Sequence, residues 1–181
     1  MKRSAEFDET GTYRYSLHRQ WNLEAPDLGF IMLNPSTADA DRDDPTIRRC
    51  IQFAESWGYG SLEVVNLFAY RATHPKVLLQ APDPVGPEND RYLLQMIDRT
   101  QTVIVAWGNR GVFQNRSQDV LTLLKTLEKK ASDSLYCLGL TRARQPRHPL
   151  YIKRNNLPLR LQAAYSAANP ILNLCIRVDT H

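Results

Sequence analysis

Side chains able to hold a ligand recur in four short segments of this 181-residue chain. They are Asn34-Pro35-Ser36-Thr37, Asn66-Leu67-Phe68-Ala69-Tyr70-Arg71, Trp107-Gly108-Asn109-Arg110-Gly111 and Arg142-Ala143-Arg144-Gln145-Pro146-Arg147-His148-Pro149. A carboxamide carries a donor and an acceptor on one planar head, which suits the edge of a heterocycle. A histidine donates or accepts near neutral pH, and arginine forks fit phosphate oxygens. Each residue also has a plain structural reading. Asn34 before Pro35 favours a turn, Asn66 can cap the loop after a strand, and His148 can sit in a surface loop. What sets the four segments apart is that each follows an apolar run.

Those runs are Leu28–Leu33, Leu62–Val65, Thr102–Trp107 and Leu135–Leu140. They are of strand length and mostly lack polar alternation, as expected of parallel strands covered on both faces. Thr12 to Trp21 reads as a half-exposed strand with Tyr13, Tyr15, Leu17 and Trp21 on one face. Between the strands, Asp44-Pro45 marks a helix start, with Ile47, Cys50, Ile51 and Ala54 as its buried stripe. Gly58 and Gly60 end it. Pro87-Glu88 opens a second helix carrying Leu93, Leu94 and Ile97. A third is expected from Ser117 to Lys130, with Val120, Leu121, Leu124 and Leu127 inward. The alternation predicts an α/β fold: a three-layer α/β/α sandwich with a mainly parallel central sheet and an N-terminal antiparallel edge strand. One domain is expected over residues 11–154, followed by a C-terminal extension over 155–181 that is a helix or a loose tail. In open α/β sheets ligands bind beyond the carboxyl ends of the strands, so the four polar segments would share one rim.

Composition narrows the function classes. With 43% hydrophobic and 23% charged residues, the chain is an ordinary globular domain with enough apolar surface for a core. No stretch approaches the roughly 18 consecutive apolar residues of a membrane span, and the polar N-terminus is not a signal peptide. Cys50, Cys137 and Cys175 form no paired spacing, which argues against a disulfide scaffold and for a reducing cytoplasm. Neither a metal nor a cofactor is expected: the four histidines lack ligand spacing, and P-loop, GxGxxG and GxSxG patterns are absent. Asp39, Asp41, Asp43 and Asp44 imitate a calcium loop, but its sixth position is Asp44 rather than Gly and its twelfth is Cys50 rather than Glu. An acidic loop leading into a helix N-terminus explains them better. A Ser36–His148 pair is conceivable, but nothing marks Ser36 as a nucleophile.

Charge is unevenly spread. Between Ser134 and Val178 there is no Asp or Glu, while Arg142, Arg144, Arg147, Lys153, Arg154, Arg160 and Arg177 are all basic. A basic segment in an otherwise mildly acidic chain points to an anionic partner such as phosphate, or else to a solvated surface.

Two resemblances add to this. Met32-Leu33-Asn34-Pro35-Ser36-Thr37-Ala38-Asp39, Val65-Asn66-Leu67-Phe68-Ala69-Tyr70-Arg71-Ala72-Thr73, Gly86-Pro87-Glu88-Asn89-Asp90, Ala106-Trp107-Gly108 and Pro146-Arg147-His148-Pro149-Leu150-Tyr151 resemble a bacterial family of unknown function over about residues 11–153. More remotely, Asn34-Pro35, Asn66, Trp107-Gly108 and His148-Pro149 resemble, in order, the motifs of the uracil-DNA glycosylase superfamily. The superfamily's fold, a parallel sheet between helices, agrees with the one read above. The likeness implies that Asn34 positions an attacking water, Asn66 bonds the base edge, and His148 stabilises charge on the leaving base. Pro35, Ser36, Trp107, Gly108 and Arg71 would help line the substrate site, and Arg142, Arg144 and Arg147 would hold backbone phosphates. The chain departs from the superfamily at Met32 and Ser36, where glycines flank Asn-Pro, and at Leu150, which stands for the serine after His-Pro. Leu150 would suit an apolar wedge for base flipping or a strand residue packed in the core, and the reading adopted is the latter.

The expected function is binding of a nucleobase, nucleotide or DNA, with glycosylase-like hydrolysis as the activity to test. The rivals are an enzyme on a free nucleotide or small phosphorylated metabolite, and a non-catalytic nucleic-acid-binding or interaction module. Salt dependence separates them: duplex DNA gives a log–log slope near −0.9 per phosphate contacted, and a free nucleotide a much shallower one.

Overall fold

The computed structural model describes residues 1–126 and 134–168. Expectations for Leu127, the helix end at Lys130, Cys175, Arg177 and the last part of the C-terminal extension lie outside the described residues. The fold is α/β, with a seven-stranded mixed sheet and, among the described residues, five α-helices. The four apolar runs are its centre: β3 (Asp27–Met32), β4 (Ser61–Asn66), β5 (Thr102–Val105) and β6 (Leu135–Cys137). All are parallel, and every residue of β4 is buried. Around them lie β1 (Lys2–Phe7), β2 (Arg14–Gln20) and β7 (Leu159–Arg160), giving the order β1-β2-β4-β3-β5-β6-β7.

The β2 strand is antiparallel, as expected, but it is neither the edge nor half-exposed. The β1 strand pairs outside it, and Arg14, Tyr15, Ser16, Leu17 and Arg19 are all buried. The outer strand escapes sequence detection because Lys2-Arg3-Ser4-Ala5-Glu6-Phe7 lacks an apolar run and stays largely exposed. Within β2, Glu6 pairs with Ser16 and Phe7 with Arg14, so β2 carries one extra residue, Tyr15. This is a bulge, and it resets which face each side chain meets.

Helices cover both faces. On one, α1 (Pro45–Ser56) packs Ile47, Cys50, Ile51, Phe53 and Ala54 against Leu28, Phe30, Met32, Leu62 and Val64. It starts where Asp44 Oδ1 accepts from the Ile47 N–H at 2.8 Å, and it ends by Gly58, whose φ is +84°. On the other face lie the short α2 (Pro75–Gln80), α3 (Asn89–Arg99), α4 (Arg116–Thr126) and α5 (Leu161–Ala167). Leu78, Leu93, Met96, Ile97, Val120, Leu124 and Leu161 there meet Ile31, Val65, Val103 and Val105. Each such fully buried aliphatic chain contributes about 1.5–3 kcal/mol. Gly29 eases the close approach of α3, since a Cβ there would crowd Met96 Sδ, Thr100 Oγ1 and Val103 Cγ2. Leu94, expected inward, is only half-buried, and Met96 takes the core position.

Candidate functional site

The first parallel strand, β3, has β4 on one side and β5 on the other, so the winding reverses between β3 and β5. A switch point of this kind leaves a crevice at the carboxyl ends of the strands. A cleft of about 940 Å³ opens there, large enough for a nucleotide. Its lining includes Asn34, Ser36, Asn66, Trp107, Gly108, Arg142, Arg147 and His148, eight of the eleven residues singled out from sequence.

Asn34 follows β3. Its Nδ2 donates to the carbonyls of Pro35 (2.9 Å) and Ala72 (2.8 Å), which fixes the orientation of the amide. The Oδ1 is left as an acceptor without a partner among the described residues. An amide oxygen can orient a water but cannot remove its proton at neutral pH. Asn66 closes β4 and is 1% exposed. Its backbone carbonyl is held by Asn89 Nδ2 at 3.0 Å, while its own Nδ2 is buried without a partner among the described residues. A buried donor in that condition costs about 1–3 kcal/mol, and a ligand acceptor would recover it.

Trp107 ends the β5 run. Its indole N–H donates to Gln145 Oε1 at 3.0 Å, and Gly108 follows with φ +73°. The Gly108 N–H bonds the Pro146 carbonyl at 2.8 Å, and Arg147 N–H bonds the Gly139 carbonyl at 2.9 Å. These bonds fold the segment after β6 back over the cleft and bring in His148. His148 Nδ1 accepts from the Leu150 N–H at 3.4 Å, so a neutral ring carries its proton on Nε2. Burial pushes the pKa of His148 down, outweighing the opposing pull of Asp44, and keeps the ring neutral at pH 7.

Three expected residues sit elsewhere. Pro35 is buried beneath the loop, where its carbonyl accepts from Asn34 Nδ2 and the Ala72 N–H. Arg71 lines a neighbouring concavity with Gly11, Thr12 and Tyr70, donates to the Gly11 carbonyl at 2.9 Å and stacks 5.0 Å over Phe7. Arg144 occupies a tight turn with φ +58° and points to the Tyr165 carbonyl at 3.3 Å. Leu150, read as a core strand residue, is instead 44% exposed in a 3-10 turn, Pro149–Tyr151, because Pro149 bends the chain before any strand forms.

The lining also holds residues that the strand-end rule did not predict. Arg14 comes from the amino end of β2, and Asp44 and Thr46 from the start of α1. Strand β2 runs against its neighbours, so its first residue meets their last ones. With Arg14, Arg110, Arg142 and Arg147 against Asp44 alone, the lining is strongly cationic. Among the described residues no group of three or more His, Cys, Asp or Glu could hold a metal, and no helix is long and apolar enough to cross a membrane.

No curated protein and no solved structure matches the chain. A family model described as "Protein of unknown function (DUF1643)" matches residues 14–150, from the first residue of β2 to the turn after His148. That span covers every residue of the cleft named above, and the chain belongs to this family of proteins of unknown function.

Proposed function

We propose that the cleft binds a nucleobase, carried on DNA or on a nucleotide, and that the protein hydrolyses its N-glycosidic bond. In this reading the helix-covered sheet is the α/β/α sandwich of the uracil-DNA glycosylase superfamily. The observation that carries the proposal is the set of spare atoms on three cleft residues: an acceptor on Asn34, a buried donor on Asn66 and the Nε2–H of His148. Glycosidic cleavage passes through an oxocarbenium-like state, in which orientation and charge stabilisation matter more than a strong nucleophile. A water whose O–H donates to Asn34 Oδ1 attacks C1′ through its oxygen, the C1′–N bond breaks with its electron pair leaving on the base, and the water's proton passes to solvent. The His148 Nε2–H donates to the base carbonyl as that charge grows, and Asn66 Nδ2 holds an acceptor on the base edge. Arg142 and Arg147 at the rim receive phosphate. Leu150 and Tyr151, exposed beside His148, supply apolar surface where an extruded base leaves its stack.

The test is a turnover screen on duplex and single-stranded DNA carrying uracil, damaged and hypermodified bases, run beside free nucleotides. Asn34→Ala is expected to cut turnover by about 10²–10³-fold with affinity nearly unchanged, as for loss of one preorganised group. Absence of turnover on every substrate, with Asn34→Ala binding nucleic acid like the wild type, would leave a binding module and remove the hydrolase.

A further inference from the structure

Three arginines are buried in the described structure: Arg14, Arg19 and Arg116. Two have carboxylates. Arg19 Nε pairs with Asp43 at 2.8 Å, and Arg116 pairs with Asp90. Arg14 has none within ion-pair distance among the described residues. Of its five N–H groups, one on Nη1 donates to the Ala38 carbonyl at 2.7 Å, and Nε is buried with no partner. Asp44 acts on it through space, but Asp44 Oδ1 is engaged in capping α1 and no ion pair forms. Burial lowers the guanidinium's pKa to about 10, which still leaves it charged at pH 7.

Its direction is built into the strand. The extra residue at Tyr15 breaks the alternation of β2: Tyr15 stacks on Tyr92 of α3, whereas Arg14 reaches the Ala38 carbonyl beside the start of α1. Without the bulge, Arg14 would face the α3 side and miss the cleft. Bulges recur where a strand must aim one side chain at a site. Beside Arg14 in the same lining stands Asn66, whose Nδ2 is also a buried donor without a partner among the described residues; the third such donor, Arg71 Nε, lies outside this lining. A desolvated cation without a counterion is costly to hold, and a ligand anion offsets that cost.

We infer that Arg14, together with Asn66, binds an anionic oxygen of the ligand inside the cleft, so that the preferred ligand is a nucleobase bearing an ionised acidic group or a nucleotide whose phosphate enters the cleft. The inference deepens the nucleobase reading and rests on it for the ligand's scaffold. The glycosylase-type roles of Asn34 and His148 do not require it.

The experiment is calorimetric titration of the full chain with uracil, with uracil carboxylated at C5 or C6, and with inorganic phosphate. Wild type is expected to bind a carboxylated uracil at least 10-fold tighter than uracil. Arg14→Met should lose about 10- to 100-fold of that affinity, the range for a hydrogen bond to a charged group, and leave uracil binding within about 3-fold. Should Arg14→Met fail to fold, the wild-type preference and Arg14→Lys decide, since lysine keeps the charge and part of the preference. Equal affinity for both bases, or a preference that survives in Arg14→Met, overturns the inference and leaves the nucleobase reading standing. Binding of phosphate alone, lost in Arg14→Met, supports the anion site and removes the nucleobase. No binding of any probe overturns both.

Discussion

The two ends of β2 each bury an arginine, and the two are treated oppositely. Arg19, fully buried, bonds Asp43 and the carbonyls of Ser4, His18 and Asp39, so its burial ties β1 and the loop before α1 to the sheet. Arg14, five residues earlier, reaches one carbonyl and leaves Nε unpartnered at the wall of the cleft. The asparagines repeat the contrast. Asn89 is buried with its amide N–H groups on the carbonyls of Asn66 (3.0 Å) and Leu67 (2.9 Å), while the Nδ2 of Asn66 itself is unpartnered. Burial alone therefore does not mark a structural residue. Satisfied donors hold the fold, and the unsatisfied donors of Arg14 and Asn66, which line the cleft, are the ones we assign to a ligand.

The largest expected effect tests the first half of that contrast. Arg19→Met strands Asp43 in a mostly buried setting and should cost about 3–5 kcal/mol in urea unfolding, lessened to the extent that Arg3, also 3.3 Å from Asp43, compensates. Arg14→Met should stay within about 1 kcal/mol of wild type in either direction, because removing an unpaired buried charge relieves desolvation. Equal losses for the two variants would make Arg14 a second structural arginine and erase the distinction.

A smaller effect separates the asparagines. Asn89→Ala strips the donor from two carbonyls at the end of β4 and should cost about 1–3 kcal/mol of stability. Asn66→Ala removes an unsatisfied group and should cost less than that, while base affinity falls by about 1–3 kcal/mol. A destabilisation of Asn66→Ala matching that of Asn89→Ala contradicts the assignment.

The smallest effect is the pH dependence of His148. Burial lowers its folded-state pKa below the ordinary value of 6.5, so beneath that pH the unfolded chain takes up a proton that the folded chain refuses. Stability should decline as pH falls below about 6.5 and level off once the folded ring also protonates. His18 is lowered in the same direction by burial, so the difference between wild type and His148→Gln isolates the contribution of His148. A stability profile of His148→Gln that superimposes on wild type would leave His148 without a role in that decline.

Much of the site is legible in the sequence. Asn34, Asn66, Trp107 and His148 all lie at or just beyond the ends of apolar runs, and parallel strands deliver such positions to one edge. Arg14 is not legible, for the same reason. The rule names carboxyl ends, and an antiparallel neighbour brings its amino end to that edge. A one-residue bulge then reverses the face that period-two alternation assigns. Arg144 and Arg71 look like Arg142 and Arg147 in sequence, but a left-handed turn and a ring contact with Phe7 direct them away. Strand β1 is hidden because an outer strand needs no apolar stripe when most of it stays in water.

The central claim, that the unpartnered buried donors of Arg14 and Asn66 in the cleft lining bind the ligand, is tested most directly by the side-chain amide resonances of Asn66 and Asn89. Titration of ¹⁵N-labelled protein with a nucleoside monophosphate should shift the Asn66 NH₂ pair downfield as it gains an acceptor and leave the Asn89 pair, already bonded to two carbonyls, in place. A nucleotide that binds while the Asn66 amide stays still, or that moves both amides alike, would contradict the account.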